Sequence, residues 1–483
     1  MLDALVRNDD IHRHSHAQNR LAVIPTPQKL NADPRYSGRG IRVAFLDSGF
    51  YPHPDFADRV VCFHDVGQEE RSLDSILEPK GYHWHGTQTV VSCAGDGRLS
   101  DWIYHGLAHH AELVLVKVSQ DGRISDDSIL RGLQWVIENR EKYDIRVLNI
   151  SLGGDIDAAT ADSRINQLAE DLVSVGVVVT VAAGNSVGTP SIPPANAPSV
   201  ITVGGYTDQN RSNPNEFELY HSSFGVTADG IVKPEVIAPA MFVAAPILPG
   251  TEDYRIAETL SMLAAAPDYS FRSLVEEFWK DAELDADILN LDDEAARRIA
   301  AYALHRRKIV ATHYQFVDGT SFAAPIVASV VAQMLEANPN LSPAATKNIL
   351  LTTAERIRTG PAIRQGFGVI NAKRAVELAV SERHYFDASY SAPHRVKDLV
   401  RFTYHDDGAA TVNLVGDFND WDQTNIPLQR SEAGTWHASV KVEPGVEYRY
   451  KFIVDGDRWI EDPTHGMKQE DGFGGFNSIL RID

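Results

Sequence analysis

Short apolar runs alternate with longer segments of helical character between about residues 40 and 205. The runs are rich in valine and nearly continuous, which is typical of strands buried on both faces of a parallel sheet. Helical segments between such strands predict a doubly wound α/β domain. The predicted strands are Ile41–Leu46, Leu113–Val118, Val147–Leu152, Val175–Val181 and Val200–Val203.

Two later regions follow other patterns. From Asp253 to Arg307, apolar residues recur at helical spacing among Ala, Glu, Asp and Arg, which predicts a helical insertion at about 250–312. From about residue 385, short runs such as Glu447–Val454 alternate with period two between Asp-Gly and Pro-Gly turns. That pattern predicts an immunoglobulin-like β-sandwich. We therefore expect an N-terminal extension at 1–37, an α/β domain at 38–380 and a β-sandwich at 385–483.

Composition and charge limit the binding partners and the cellular location that we expect. A chain of 483 residues with a net charge of −21 does not favour nucleic acid or anionic membrane, because both need clustered positive charge. No apolar run approaches the roughly 20 residues that span a bilayer, and the N-terminus has no apolar segment of the secretory type. Two cysteines make no disulfide framework. We expect a cytoplasmic protein that requires no cofactor.

Three motifs carry candidate chemistry at loops that follow predicted strands, where an α/β enzyme places its active site. The first strand runs into Asp47, the segment GYHWHGT presents His85 before a helix, and DGTSFAAP places Ser321 at the start of another helix. A strand-end Asp or a His before Gly-Thr is often structural when it occurs alone. Together the three suit nucleophilic catalysis, because a serine hydroxyl needs a base that titrates near neutrality.

These motifs resemble those of the subtilisin-like serine proteases (subtilases) across about 38–380, with SLGG, AAGN, VKPEVIAP and GFGVINA as further matches. The resemblance implies a serine endopeptidase with Asp47, His85 and Ser321 as catalytic triad and an acyl-enzyme intermediate. It also implies an oxyanion hole made of the Asn185 side chain and the Ser321 backbone N–H.

The resemblance extends to substrate binding. It implies that Ser151, Leu152, Gly153 and Gly154 pair with an extended polypeptide, with the segment from Gly122 to Ser125 as the opposing edge. Outside this context, the two glycines of SLGG would be read as a plain loop.

Some positions depart from the family pattern. Gln88 stands where many relatives carry a second histidine, and Phe322 replaces a common methionine. No calcium-binding loop is recognisable, so calcium stays unassigned and the metal sites unknown. Val23-Ile24-Pro25 resembles the short inhibitory segment of intracellular subtilisins, and an ordinary proline-containing lead-in is the alternative.

The helical insertion also departs from the family pattern. Pro239 and Ser321 are 82 positions apart, so the insertion lengthens a connection that is short in the family. We expect it beside the primed side of the cleft. There it would restrict entry, bind a partner, form a dimer contact or simply decorate the domain.

The segment from about 385 resembles the glycogen- and starch-binding modules of branching enzymes, isoamylases and the β subunit of AMP-activated kinase. The matching stretches are VNLVGDFNDWD, EYRYKFIVDGDRWIEDP and FNSIL. The resemblance implies that Trp421, Lys451, Trp459 and Asn477 contact sugar, because aromatic rings stack on the apolar faces of glucose. Glycogen or another α-glucan is thus the expected second partner, and a purely structural sandwich is the alternative.

The leading hypothesis is a protease with a glucan tether. A catalytically inactive scaffold associated with carbohydrate is the first alternative, and the intact triad argues against it. A carbohydrate-converting enzyme is the second, but residues 38–380 leave no room for another catalytic domain.

Overall fold

The computed structural model describes residues 23–154, 158–384, 393–396, 398–406, 408–431, 435–465 and 467–482. Most of the predicted N-terminal extension lies outside the described residues. The backbone N–H of Ile24 donates to Asn210 at 2.8 Å, and Val23 packs in an apolar cluster with Tyr104 and Tyr314. Helix α1 (Thr26–Lys29) follows directly. These contacts favour a structural lead-in for Val23-Ile24-Pro25.

A parallel sheet forms the centre of the α/β domain. Its strands and the short ribbons beside it are β1 (Arg42–Asp47), β2 (Val60–Asp65), β3 (Glu112–Lys117), β4 (Ile145–Ile150), β5 (Val178–Ala182), β6 (Ile201–Thr207), β7 (Glu218–Leu219), β8 (Gly225–Val226), β9 (Val232–Lys233) and β10 (Val236–Pro239). The strand order is β10-β6-β5-β4-β1-β3-β2, and β7 pairs antiparallel with β6. The pattern of apolar runs does not predict β2, because this edge strand is only half-buried.

Helices cover both faces of this sheet, which confirms the doubly wound α/β prediction. The helices that follow α1 along the chain are α2 (His83–Ala94), α3 (Asp126–Asn139), α4 (Arg164–Ser174), α5 (Glu252–Ala265), α6 (Asp268–Phe278), α7 (Asp293–Arg306), α8 (Thr320–Ala337), α9 (Pro343–Thr353), α10 (Ala362–Gln365) and α11 (Ala372–His384). Of these, α5, α6 and α7 belong to the insertion and not to the faces of the sheet. One core cluster joins the sheet to α2, α8, α9 and α11, and a second joins it to α3 and α4.

Helix α8 runs through the middle of the domain. By length and composition alone it is the one helix of the described residues that could cross a membrane, but 89% of it is buried inside the protein. A helix that is apolar on every side is what the core of a large domain requires. Its first turn carries Ser321.

The insertion forms a small unit with its own core. It leaves the domain after β11 (Val243–Pro246) and returns through β12 (Ile309–Ala311) and β13 (Tyr314–Val317), which form an antiparallel sheet in the order β11-β13-β12. Helices α5, α6 and α7 lie between β11 and β12. Their apolar faces pack on one another through Leu260, Phe271 and Val275, among others.

The C-terminal region is a sandwich of two antiparallel sheets, which confirms the fold predicted for it. Its strands are β14 (His394–Val396), β15 (Leu399–His405), β16 (Val412–Gly416), β17 (Gln429–Arg430), β18 (Thr435–Val440), β19 (Glu447–Val454), β20 (Arg458–Ile460), β21 (Lys468–Glu470) and β22 (Phe476–Arg481). One sheet has the order β14-β15-β18-β17, and the other has β16-β19-β22-β21 with β20 on β19. Phe402, Leu414 and Phe452 are among the side chains buried between the sheets.

Buried polar contacts join the sandwich to the α/β domain. Glu382, near the end of α11, accepts hydrogen bonds from Arg401 at 2.9 Å and Ser439 at 2.8 Å, and lies 2.9 Å from Nε2 of His437. The side-chain amide of Asn348 on α9 donates to the Ser439 carbonyl at 3.2 Å. The sandwich is therefore docked on the α/β domain through its β15 and β18 strands.

Candidate active site

Asp47 and His85 form a directly bonded pair. Asp47 ends β1 and is buried, and its Oδ1 accepts from Nδ1 of His85 at 2.7 Å and from the Ser48 backbone at 2.7 Å. Its other oxygen accepts from the Thr89 hydroxyl at 3.2 Å, one turn along α2 from His85. With the proton on Nδ1, the Nε2 atom of His85 is left as an acceptor, which is the tautomer a general base needs.

The surroundings of His85 favour its charged form. Burial by itself lowers the pKa of His85, but the negative charge of Asp47 and its hydrogen bond to the ring outweigh that effect and raise the pKa above its ordinary value. The pair thus stabilises the imidazolium that forms when the ring takes up a proton.

Ser321 lies in the first turn of α8. Its neighbour Phe322 has its ring centroid 5.8 Å from that of His85, which places the imidazole beside this turn. The Ser321 hydroxyl donates to the Ser151 carbonyl at 3.3 Å. Among the described residues, no hydrogen bond joins it to His85. Hydrogen bonds to a catalytic base are often unformed until substrate binds, so the hydroxyl has to turn toward Nε2.

Asn185 is held in one orientation by the residue before the serine. Its Oδ1 accepts from the Thr320 backbone at 2.9 Å and from the Thr320 hydroxyl at 3.0 Å, so Nδ2 faces away and is left to donate. Gly319 has φ of +140°, which favours glycine, and a Cβ there would come within 3.6 Å of Nδ2. The Asn185 amide and the N-terminus of α8 therefore border the same small space.

The SLGG loop continues from β4 along this space. The Ser151 hydroxyl donates to the Ser321 carbonyl at 2.8 Å, which ties the loop to the start of α8. Leu152 is half-buried and Gly153 is exposed. The backbone N–H of Gly154 donates to Pro193 at 2.8 Å, so this amide is used inside the protein.

The segment predicted as the opposing edge has two parts with different roles. Gly122 is exposed in a tight turn closed by paired backbone bonds between Gln120 and Arg123. Ser125 is exposed as well, but its hydroxyl caps α3 by accepting from the Ser128 backbone at 3.2 Å. A helix cap accounts for the Ser125 side chain, and the binding role of this edge stays a prediction.

No metal site emerges from the residues that the structure describes. Among them, no group of three or more His, Cys, Asp or Glu side chains is arranged to hold an ion. Calcium stays unassigned.

In the sandwich, the four residues predicted to contact sugar line one open cleft of about 610 Å³. The rings of Trp421 and Trp459 lie 6.5 Å apart at an angle of 25°. Lys451 and Asn477 form part of the same lining and are mostly buried. Two aromatic faces and a polar floor suit a sugar, which presents apolar faces and hydroxyl edges.

Sequence reasoning missed a further residue of this cleft. Phe473 projects into it with 97% of its side chain exposed. The signal was available, because a phenylalanine between glycines in DGFGGF is an unusual place for a core residue. Arg449 and Asp471 also line the cleft.

An ion pair and a hydrogen bond hold two side chains of the cleft in place. Asp471 accepts from Lys451, and this bond with the backbone N–H groups of Phe473 and Gly475 lowers the pKa of Asp471 to about 2. The indole N–H of Trp421 donates to the carboxylate of Asp417 at 3.0 Å. The lysine and the indole are thus held in place before any ligand arrives.

A helix-borne serine beside an Asp–His pair at the carboxyl end of a parallel sheet is the arrangement of a serine peptidase. The chain belongs to the subtilase family, whose family model matches residues 38–369. It is thereby a subtilisin-like serine endopeptidase. Residues 386–465 match carbohydrate-binding module 48, the isoamylase N-terminal domain.

The chain is similar to individual proteases and to solved structures. Serine protease AprX of Bacillus subtilis (strain 168) is 29% identical over 351 residues, covering 70% of this chain and 67% of AprX. Subtilisin BL of Lederbergia lenta is 32% identical over 197 residues, covering 40% of this chain and 65% of that protein. The chain thus spans about two thirds of the length of these two relatives. Among solved structures, fervidolysin from Fervidobacterium pennivorans superposes with a TM-score of 0.49 at 18% identity, covering 88% of this chain and 54% of that one.

Proposed function

We propose that this protein hydrolyses peptide bonds through Asp47, His85 and Ser321 with an acyl-enzyme intermediate. The 2.7 Å bond between Asp47 and Nδ1 of His85 carries the proposal, because it leaves Nε2 as a base beside the first turn of α8. Nε2 takes the proton from the Ser321 hydroxyl as the oxygen attacks the substrate carbonyl. The same atom then gives the proton to the leaving amine, and water attacks the resulting ester in the second half of the reaction.

The developing oxyanion needs donors that are already in place. Nδ2 of Asn185 fits this role, since Thr320 holds the other end of the amide through two hydrogen bonds. The Ser321 backbone N–H, at the positive end of the α8 dipole, is the second donor.

The substrate is a polypeptide in extended form. The SLGG loop, which Ser151 ties to Ser321 and in which Leu152 is half-buried and Gly153 exposed, is one edge that would pair with it, and the exposed turn at Gly122 is the other. A folded segment cannot pair with both, so unfolded chains should be cleaved first.

Labelling with a fluorophosphonate tests the catalytic part. The wild type should become covalently labelled and should digest casein, and Ser321→Ala should lose both activities. Ser174→Ala serves as the control, because Ser174 is exposed at the end of α4 and its hydroxyl donates to the Asp171 carbonyl at 2.7 Å. Undiminished proteolysis by Ser321→Ala would overturn the proposal, and an unlabelled wild type would favour the inactive scaffold.

We further propose that the sandwich binds an α-glucan such as glycogen. The facing rings of Trp421 and Trp459 in the cleft support this, together with the match to a carbohydrate-binding module. Each ring should contribute roughly one or more kcal/mol to binding. The cytoplasmic location and the lack of nucleic-acid or membrane partners stay predictions.

Sedimentation with glycogen tests this second part. The intact protein should sediment with the polymer, and Trp421→Ala or Trp459→Ala should weaken binding about fivefold or more. Trp102→Ala is the control, since Trp102 is an exposed tryptophan of the α/β domain. If the wild type ignores glycogen, starch and maltoheptaose alike, the sandwich is structural.

A further inference from the structure

Trp84, the residue before His85, is a large apolar side chain that the proposed mechanism does not use. It is 47% exposed, and its ring centroid lies 5.2 Å from that of the His85 imidazole with the planes at 85°. Single exposed tryptophans on a surface need no explanation. One that touches the general base edge-on borders the space where the substrate reacts.

The geometry of α2 shows on which side of His85 this ring lies. Successive residues of a helix are about 100° apart, so Trp84 and Gln88 share one face of α2. Tyr82, the residue just before α2, continues the helical backbone and lies on another face, with Gly86. The Tyr82 face points toward the Gly122 turn, because a Cβ on Gly122 would lie 3.4 Å from the Tyr82 ring.

The Trp84 face points the other way. The side-chain amide of Gln88 donates to the carbonyl of Pro246, the last residue of β11, at 2.9 Å. Trp84 therefore lies on the side of His85 that faces β11 and the insertion, away from the Gly122 edge.

The path of the leaving amine indicates a role for Trp84 in binding the leaving half of the substrate. His85 must hand its proton to the leaving amine, so the residue that carries this amine passes beside the imidazole. The proposed function assigns substrate pairing to the SLGG loop and the Gly122 edge, and we assign the acyl half of the substrate to these two edges. The leaving half consequently runs along the side on which Trp84 lies.

We propose that Trp84 forms an aromatic wall for the first two leaving-group residues, P1′ and P2′, and that it favours apolar side chains there. This inference rests on the proposed acyl-enzyme mechanism. An apolar P1′ or P2′ side chain would cover the exposed part of the indole, and removing both surfaces from water stabilises the complex. Glycine at the same position would leave the ring exposed.

Partitioning of the acyl-enzyme tests the wall directly. An ester substrate forms the acyl-enzyme, and added amides then compete with water for it; amides X-NH₂ report on P1′, and Gly-X-NH₂ on P2′. The wild type should prefer X = Leu or Phe over X = Gly in at least one series. Trp84→Ala should reduce that preference about three- to tenfold, and Trp84→Phe should keep most of it.

The preference is a ratio taken within one variant, so a general loss of activity cancels. Trp102→Ala, which removes a tryptophan that is 68% exposed elsewhere in the domain, should leave the ratio unchanged. If Trp84→Ala keeps the full wild-type preference for apolar X in both amide series, the inference about Trp84 is wrong while the proposed function stands. The same holds if Trp102→Ala loses as much of this preference as Trp84→Ala. Failure of the wild type to form any acyl-enzyme would overturn the proposed function and this inference with it.

Discussion

Replacing Glu382 with alanine should loosen the attachment of the β-sandwich to the α/β domain. The carboxylate on α11 is held by Arg401, His437 and Ser439 of the sandwich at 2.8 to 2.9 Å. All four side chains are buried. Burial alone raises the pKa of Glu382, but the bond to His437, the charges of Arg401 and His437 and the Ser439 hydroxyl outweigh it and lower the pKa. The carboxylate is therefore charged at neutral pH.

The size of the effect follows from this burial. Removing one member of a buried, hydrogen-bonded ion pair costs about 3–5 kcal/mol, because the other charge stays out of water and loses its compensation. Here the charge that stays is the guanidinium of Arg401, which is 1% exposed. That cost corresponds to a factor of roughly 2 × 10² to 5 × 10³ in the docking equilibrium.

Calorimetry and urea unfolding of the full chain measure this cost. We expect Glu382→Ala to lower the unfolding midpoint of the sandwich and to separate it from that of the α/β domain. Asp398→Ala is the matched control: Asp398 also meets α11, through Arg374, but it is exposed, so its loss should cost about 1 kcal/mol or less. Equal, small effects of the two variants would refute the reasoning.

The pH dependence supplies a second check. Because the folded-state pKa of Glu382 lies below its ordinary value of 4.5, the stability that this residue contributes is fully present above about 4.5 and is lost as the pH falls through the lowered pKa. The difference in the free energy of unfolding between wild type and Glu382→Ala should therefore be largest at neutral pH and become smaller in acid. A gap that stays constant down to pH 3 would contradict the assignment.

The remaining predictions concern the catalytic centre. Asn185→Ala should lower kcat by about 10²–10³ with KM little changed, which is the effect that loss of one oxyanion donor has in subtilisin, and a loss below tenfold would exclude it as an oxyanion donor. Because only the neutral imidazole can accept the serine proton, kcat/KM should rise with pH through the raised pKa of His85. Asp47→Asn should move this rise in the pH profile to lower pH. A rise at the same pH in the variant would contradict Asp47 as the cause of the raised pKa. Phe322→Met should make activity more sensitive to peroxide, since methionine oxidises to a polar sulfoxide; equal sensitivity of both forms would place the damage elsewhere.

Much of the fold is readable from local pattern. The predicted strand Ile41–Leu46 corresponds to β1, which runs from Arg42 to Asp47, because a strand buried on both faces needs an unbroken apolar run. The same pattern does not predict the edge strand β2, because its exposed side admits polar residues. In the same way, Ser125 belongs to a motif by sequence but serves as a helix cap in the structure.

The sequence by itself determined the element types, the order Asp47, His85, Ser321 and the family, because periodicity and short motifs are properties of neighbouring residues. Only the tertiary structure decided which distant side chains meet. It turned the Ser321 hydroxyl toward Ser151 and joined Trp421 to Trp459 across the sandwich. It also buried Glu382 against a second domain. Such contacts depend on how strands and helices pack, and packing is set by the whole core rather than by any local stretch of chain.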